Sequence, residues 1–457
     1  MCLIRWRNRK NRILIFVILL LAITIFCSGC LRPEENESID FRDCNVILIV
    51  VDALRTDHLG CYGYNRTTSP TIDDLAIDGV LFNRCFSQSS WTVPSMASLF
   101  TSKYPTTHGV THGVIKTSKD SYAVLEQEIL GEYHLTLSES LLDGGWYTAG
   151  FTTNGHLQKK LGFSQGFAFY DEENCIWRDA DCVNERVFSW IEENHGKKFF
   201  LWVHYFDLHA RYHLPDRLYD PPKPYDMLYR WKGEKKGKEQ SIALYDGELA
   251  YVDNQIGLLL RKLDELELTR KTIIVLTSDH GESFRDHGQF EDHGSTLYNE
   301  EIHIPLLFHF PAGQFRKMTI DNNVRMIDIM PTILNLLHIT PPQDIQGVSL
   351  VPLFFKEKFS ELPVLSETRR WNADLKTYIS NHYKFTMNFK NKQAELYDLD
   401  EDFYEKNNLL KKKGRMAATI EKELIQYLEK IPKNTAKITI EDNNNRLNEL
   451  KSLGYLE

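Results

Sequence analysis

Four stretches of the chain are almost continuously apolar: Val46–Val51, Phe199–Val203, Thr272–Leu276 and Ile304–Phe310. A strand with one wet face alternates apolar and polar residues, so unbroken runs of this length fit strands covered on both faces. Between them apolar residues recur at helical spacing over Thr136–Leu142, Cys182–Glu193 and Leu244–Leu266. Strand and helix in alternation predict an α/β domain with a mostly parallel central sheet and helices on both faces. After Leu353 the pattern changes. Tyr378–Ser380, Tyr383–Asn388 and Glu395–Asp398 read as short strands joined by turns, and Met416–Ile431 as a helix. Residues 44–353 are therefore expected to form the main domain and 354–457 a small antiparallel-sheet subdomain with a helix. The tail Arg446–Glu457 is too short to fold alone and is expected to dock back.

The N-terminus bears on location. Arg5, Arg7, Arg9, Lys10 and Arg12 precede the apolar run Ile13–Phe26, then Cys27-Ser28-Gly29-Cys30 and the polar stretch Arg32–Asp40. A basic, then apolar, then small-residue order marks residues 1–30 as an export signal, with 31–43 as a linker. Small residues before Cys30 resemble a lipoprotein processing box, although Cys27 stands where such boxes usually carry leucine. An uncleaved membrane anchor and plain secretion are the alternatives, and all three put the body of the chain outside the cytoplasm.

The formal net charge of −9 argues against a nucleic-acid partner, because phosphate backbones select basic faces. The basic runs Lys232–Lys238 and Lys411–Arg415 lie among polar residues and read as solvated loops. Beyond Cys30 the cysteines are Cys44, Cys61, Cys85, Cys175 and Cys182, an odd number that cannot all pair internally. Cys175 and Cys182 are close enough in a polar loop to form a bridge in an oxidising compartment. No zinc-ribbon spacing occurs among them.

Polar groups of one kind close the strands. Asp52 follows the first; His204, Asp207 and His209 follow Phe199–Val203; Asp279-His280-Gly281-Glu282 follows Thr272–Leu276. In a doubly wound sheet the carboxyl ends of strands converge on one crevice. Two aspartates and a histidine there suit a hard or borderline divalent cation, with room for a nucleophile or a substrate oxygen. A single aspartate after a strand is more often a turn or helix-cap residue. Three such ends, one with a vicinal histidine, weigh against that reading.

The same residues carry a resemblance. Asn45 to Tyr64, with Asp52-Ala53-Leu54-Arg55-Thr56-Asp57-His58 at its centre, resembles the opening strand and metal loop of the sulfatase family within the alkaline phosphatase superfamily. Ser90-Trp91-Thr92-Val93-Pro94-Ser95 and Leu99 to Gly109 resemble its nucleophile segment. Trp202 to His209, Asp279-His280-Gly281-Glu282, His287-Gly288, His293-Gly294 and Asp328-Ile329-Met330-Pro331-Thr332 are similar to its later motifs, in order. The resemblance implies that Asp52, Asp279, His280 and Thr92 surround one divalent cation. It implies that His209 and His293 contact the ester oxygens or the leaving group, and that Asn154 and His156 lie among the substrate-contacting groups, with Thr153 as a competitor. Asp207 is expected on substrate, or with His209 and His293 in a second metal site.

Departures from the family pattern redirect the chemistry. Sulfatases use an aldehyde made from cysteine or serine in a Cys/Ser-x-Pro-x-Arg segment; here Thr92-Val93-Pro94-Ser95-Met96 offers neither that residue nor the arginine. Oxidation of a threonine would give a ketone. Ala53 replaces an aspartate common on the family's calcium, and Asp279-His280 stands where Asp-Asn is frequent. Imidazole favours manganese or zinc over calcium, which stays an option.

The leading expectation is a metal-dependent phosphodiesterase or phosphotransferase acting through a covalent phosphothreonine on a phospho-substituted lipid or glycan. A sulfate-ester hydrolase and a catalytically degenerate binder of anionic glycans are the rivals. The alternative for Thr92 is a cap on the helix beginning near Pro94.

Overall fold

The apolar runs form the middle of an eight-stranded sheet. Strands β1 (Asn45–Val51), β2 (Val80–Phe86), β3 (Tyr147–Thr152), β4 (Phe169–Asp171), β5 (Phe199–Tyr205), β6 (Thr272–Thr277), β7 (His303–His309) and β8 (Met318–Arg325) lie in the order β8-β2-β7-β6-β1-β5-β3-β4. Only β7 runs against its neighbours; every other pair in this sheet is parallel. Every residue of β1 is buried, and the strand sits between β5 and β6. Its unbroken apolar pattern follows from cover on both faces.

This computed structural model describes residues 40–111, 115–116, 122–123, 127–172, 179–211, 217–233, 237–288, 293–370, 374–434 and 439–440. The export segment with Cys30, Cys175 and the tail 446–457 lie outside the described residues. From Arg42 onward the chain forms one unit. Among the described residues no helix is long and apolar enough to cross a membrane.

Helices α1 (Pro70–Ile77), α2 (Thr92–Thr101), α3 (Leu137–Asp143), α4 (Ala180–Asn194), α5 (Lys238–Glu265) and α6 (Ile329–Leu336) cover the sheet. On one face Ile47, Ile49 and Val51 of β1 share a core with Val187 and Ile191 of α4 and Leu249, Val252, Ile256 and Leu259 of α5. On the other, Phe100 of α2 meets Trp202 of β5 edge-on at 5.0 Å. The fold is thus the mostly parallel, two-sided α/β sheet expected. Strands β2 and β8 lacked a continuous apolar signature because each is interrupted by polar residues, Asn83-Arg84 and Asp321-Asn322-Asn323.

Beyond residue 353 a second sheet forms from β9 (Val364–Thr368), β10 (Leu375–Ser380), β11 (Tyr383–Asn388) and β12 (Ala394–Asp398), all antiparallel. Helix α7 (Gly414–Lys430) lays Ala417, Ile420, Leu424 and Leu428 against Tyr378, Phe385 and Leu396 of this sheet. Leu424 is fully buried, and truncating such a residue to alanine costs about 2–5 kcal/mol. The expected small sheet is present, with β9 as an additional strand.

Candidate active site and metal centre

Strand periodicity aims the crevice residues. Side chains two apart on a strand share a face. Ile47, Ile49 and Val51 face α4 and α5, so Val46, Leu48, Val50 and then Asp52 fall on the face of α2. Ile274 and Leu276 belong to the first core, which puts Ile273, Val275, Thr277 and then Asp279 on the α2 face as well. Val50 pairs with Thr277 across β1 and β6. Two residues further on in each strand direction, Asp52 and Asp279 come level on one side of the sheet.

Helix α2 brings Thr92 to them. Pro94 is tolerated in its first turn because the N–H groups there have no intrahelical partner. Ser95 Oγ donates to Ser89 O at 2.9 Å, and Ser87 Oγ donates to Asp279 O at 2.6 Å, tying the segment around Thr92 to the β6 end. The cap reading of Thr92 is corrected: Trp91 is the N-cap, its side chain makes no capping hydrogen bond, and Thr92 is the first helical residue. Thr92 Oγ1 lies instead 3.4 Å from Asp52 Oδ2 and 3.3 Å from His280 Nε2.

The donor set fits a divalent cation. Ligand atoms of Asp52, Asp279 and His280 lie within 4.8 Å of one another, and all three residues are buried. His280 Nδ1 donates to Gly281 O at 2.7 Å, which leaves the Nε2 lone pair facing Asp52 Oδ1 at 3.6 Å and Asp279 Oδ2 at 3.5 Å. Those two carboxylate oxygens are buried without a hydrogen-bond partner among the described residues. Burial, and then the charge of Asp279, push the Asp52 carboxyl well above its ordinary range. A lone pair and two orphaned carboxylate oxygens repel one another unless a proton or a cation stands among them. Asp52 and Asp279 suit a hard ion and His280 a borderline one.

Local backbone geometry sharpens the loop. Ala53 adopts φ 56°, a left-handed conformation that costs a non-glycine residue roughly 1–2 kcal/mol. Tyr245 holds it, donating its hydroxyl to Ala53 O at 2.8 Å and accepting from Arg55 N at 2.9 Å.

A histidine wall stands beside Asp52, Asp279 and His280. His293 stacks on His280 with ring centroids 4.4 Å apart, and His209 meets His293 edge-on at 4.8 Å. Burial, then the two neighbouring imidazoles, push His209 well below its ordinary pKa, so it is neutral near pH 7. Its Nδ1 donates to Ala210 O at 3.0 Å, and its Nε2 therefore carries the lone pair.

Asn154 joins this centre as a support for a ligand, its Nδ2 donating to Asp52 Oδ2 at 3.0 Å. His156 is placed behind it, with its backbone N–H on Asn154 Oδ1 at 2.8 Å. Asp207 is placed at the start of α4, accepting from Ala180 N at 2.9 Å. Asp207, His209 and His293 do not come within mutual reach of one ion; among the described residues the only such trio is Asp52, Asp279 and His280. His287 bonds Glu300 through Nδ1 at 2.6 Å and stacks on Tyr298.

Two further residues belong to the centre. Glu282 Oε2 lies 3.2 Å from His293 Nδ1 and orients that ring. His204, in phase with Trp202 on the α2 face, lies with Nε2 3.8 Å from Asp52 Oδ2, and burial holds its pKa down to about 4. Both were visible in the motifs, but nothing in their spacing distinguished a ring-orienting carboxylate from a turn residue.

Comparison with known proteins agrees with this geometry. A family model described as Sulfatase matches residues 44–339, and one described as N-sulphoglucosamine sulphohydrolase, C-terminal, matches residues 285–434. An arylsulfatase of Clostridium perfringens is 24% identical, over 85% of this chain and 93% of that protein. An N-acetylglucosamine-6-O-sulfatase of Bacteroides thetaiotaomicron is 23% identical, over 91% and 90%. The crystal structure of a phosphonate monoester hydrolase of Agrobacterium radiobacter superimposes with a TM-score of 0.68 at 19% identity, covering 84% of this chain and 95% of that one.

Proposed function

The chain belongs to the sulfatase family, within the alkaline phosphatase superfamily, and from that premise we propose that it cleaves or transfers an anionic phosphorus ester with Thr92 as nucleophile. One observation carries the reading. At the head of α2, where the family pattern calls for a convertible cysteine or serine, a threonine hydroxyl stands 3.4 Å and 3.3 Å from two cation ligands. A hydroxyl that cannot become an aldehyde suits direct displacement at phosphorus.

Asp52, Asp279 and His280, with Thr92 beside them, would hold the cation. When bound it supplies Lewis acidity, lowering the pKa of a nearby hydroxyl and offsetting charge on ester oxygens. Thr92 Oγ1 forms its bond to phosphorus as the bond to the leaving oxygen breaks, and the proton lost by Thr92 ends on that oxygen. The product is a phosphothreonine. His209 Nε2 then takes a proton from an attacking water, or from an acceptor alcohol, and returns it to Thr92 Oγ1 as the P–Oγ1 bond breaks. His293, held by Glu282, presents its ring to the equatorial oxygens. Water gives hydrolysis; an alcohol gives transfer.

We place this reaction outside the cytoplasm, on a phospho-substituted lipid or glycan at the membrane that the N-terminal pattern would anchor. The disulfide-bonded state of Cys182 is in keeping with an oxidising compartment. A second reading, hydrolysis of a sulfate ester on a glycan, is favoured by the activities in the names of the sequence relatives.

The deciding experiment compares a bis-aryl phosphate with an aryl sulfate after reconstitution with manganese, zinc or calcium. Faster turnover of the phosphate, with phosphothreonine at Thr92 trapped by acid quench and seen by mass spectrometry, is expected. Faster turnover of the sulfate without a covalent adduct would establish the second reading. Turnover of neither would leave a binding protein.

A further inference from the structure

The C-terminal sheet reaches the segment that leads to Thr92. Strand β9 runs beside the segment that leads into α2: Ser366 Oγ donates to Ser87 O at 2.6 Å, and Glu367 N to Gln88 O at 2.9 Å. Just past the end of β9, Arg370 arrives with its guanidinium carbon 5.4 Å from the centre of the Trp91 ring, on the residue before Thr92. Arg370 Nη1 donates to the carbonyl of His293 at 3.2 Å. Thr368 Oγ1, donating to Gly294 O at 2.6 Å, fixes this approach.

Gly294 shows how tight the convergence is. It lies at φ +86°, and a Cβ there would stand 2.7 Å from Arg370 Cδ and 3.1 Å from Trp91 Cβ. Only glycine fits where loop, indole and guanidinium meet. The Nε1 of that indole is buried without a hydrogen-bond partner among the described residues.

The charges of the crevice say what such a residue is for. Asp52, Asp279 and Glu282 are all buried there, and their field opposes an approaching anion. The guanidinium of Arg55 is engaged elsewhere, by Asp57, Asp286 and the carbonyl of Glu282. Arg370 is itself buried, and its charge is felt at His209. A guanidinium stays charged at every accessible pH, and its hydrogen bonds to oxyanions strengthen out of water.

We propose that Arg370 is a catalytic residue that binds a non-bridging oxygen of the ester held at Thr92, so that the C-terminal sheet supplies the crevice with its fixed positive charge. This rests on the reading of Thr92 as the reaction centre and adds the group that selects an anion.

The test uses the manganese-loaded full chain with Arg370→Gln, Arg370→Lys and Arg370→Ala, titrated with inorganic phosphate by calorimetry and assayed on bis-aryl phosphate. The glutamine variant is expected to bind phosphate about tenfold more weakly and to lose about a hundredfold in kcat/KM, with an unchanged Tm. Lysine retains part of both, and added guanidinium restores the alanine variant. Phosphate affinity within about twofold of wild type in Arg370→Gln would overturn the proposal. So would a lost activity that guanidinium does not restore, accompanied by a lowered Tm, because that is the mark of a structural role. Gly294→Ala, which displaces the guanidinium without removing it, is expected to weaken phosphate binding with no rescue. Should the wild type prefer aryl sulfate, the phosphorus-ester reading fails, and the same titration with inorganic sulfate still decides the role of Arg370.

Discussion

Two aspartates of this chain, Asp52 and Asp246, are completely buried beside histidines, and they serve opposite ends. Asp246, on α5, has each oxygen satisfied: Oδ1 meets His58 Nδ1 at 2.6 Å, and Oδ2 accepts from Tyr64 at 2.8 Å and Arg66 at 2.6 Å. Asp52 keeps Oδ1 without a hydrogen-bond partner among the described residues and faces a second carboxylate and an imidazole lone pair. Burial and charge are common to both. The centre for chemistry is distinguished by incompleteness, because an unsatisfied buried carboxylate is tolerated only where something from outside completes it.

The sharpest way to break this comparison is Thr92→Ala. Activity is expected to fall roughly ten-thousand-fold while metal content, measured by elemental analysis, changes little, since three ligands remain. A small loss of activity would dissociate the incomplete centre from catalysis.

Next comes the same conservative change at both aspartates. Asp246→Asn leaves Arg66 and His58 facing an uncharged amide and is expected to destabilise the fold by about 3 kcal/mol. Asp52→Asn relieves repulsion from Asp279 and is expected to raise the Tm of metal-free protein while abolishing its response to added manganese. Calorimetry with and without chelator reads both. Shifts of the same sign would remove the distinction drawn here.

A smaller effect is expected at Glu282, which acts through His293. Glu282→Gln should lower kcat about 10- to 100-fold, with binding of inorganic phosphate held near wild type.

The smallest effect concerns pH. Asp207 is pushed up to about 7, first by burial and then by Asp179. Folded protein therefore holds this proton more tightly than unfolded chain between the ordinary carboxyl pKa near 3.8 and about 7. Its contribution to stability is full below that window and is lost as pH rises through it. Asp207→Asn, which keeps an acceptor for Ala180 N, is expected to flatten the fall of Tm over this range by a few degrees. An unaltered slope would show that Asp207 is not the group responsible.

Much of this centre was legible along the chain. Asp52 and Asp279 stand where unbroken apolar runs stop, and alternate phase along β1 and β6 sends both to one face. The helices α3, α4 and α5 announced themselves by spacing, and the structure adds a Thr136–Glu139 capping box at the start of α3. The direction of β7 had no local signal, because an antiparallel strand buried on both faces is as apolar as a parallel one. Arg370 follows a short strand in a region that composition alone would leave as an appendage.

By itself the amino-acid order determined which segments are buried, at what period, and which polar residues close them, because burial is written into local patterns of side chains. Tertiary structure alone decided the partners. It set Thr92 against Asp52 rather than in a cap, turned Asp207 to α4, put Glu282 behind His293 and carried Arg370 to Trp91. Whether a buried polar atom is satisfied depends on groups brought from distant parts of the chain, and that unsatisfied remainder is what marks the site.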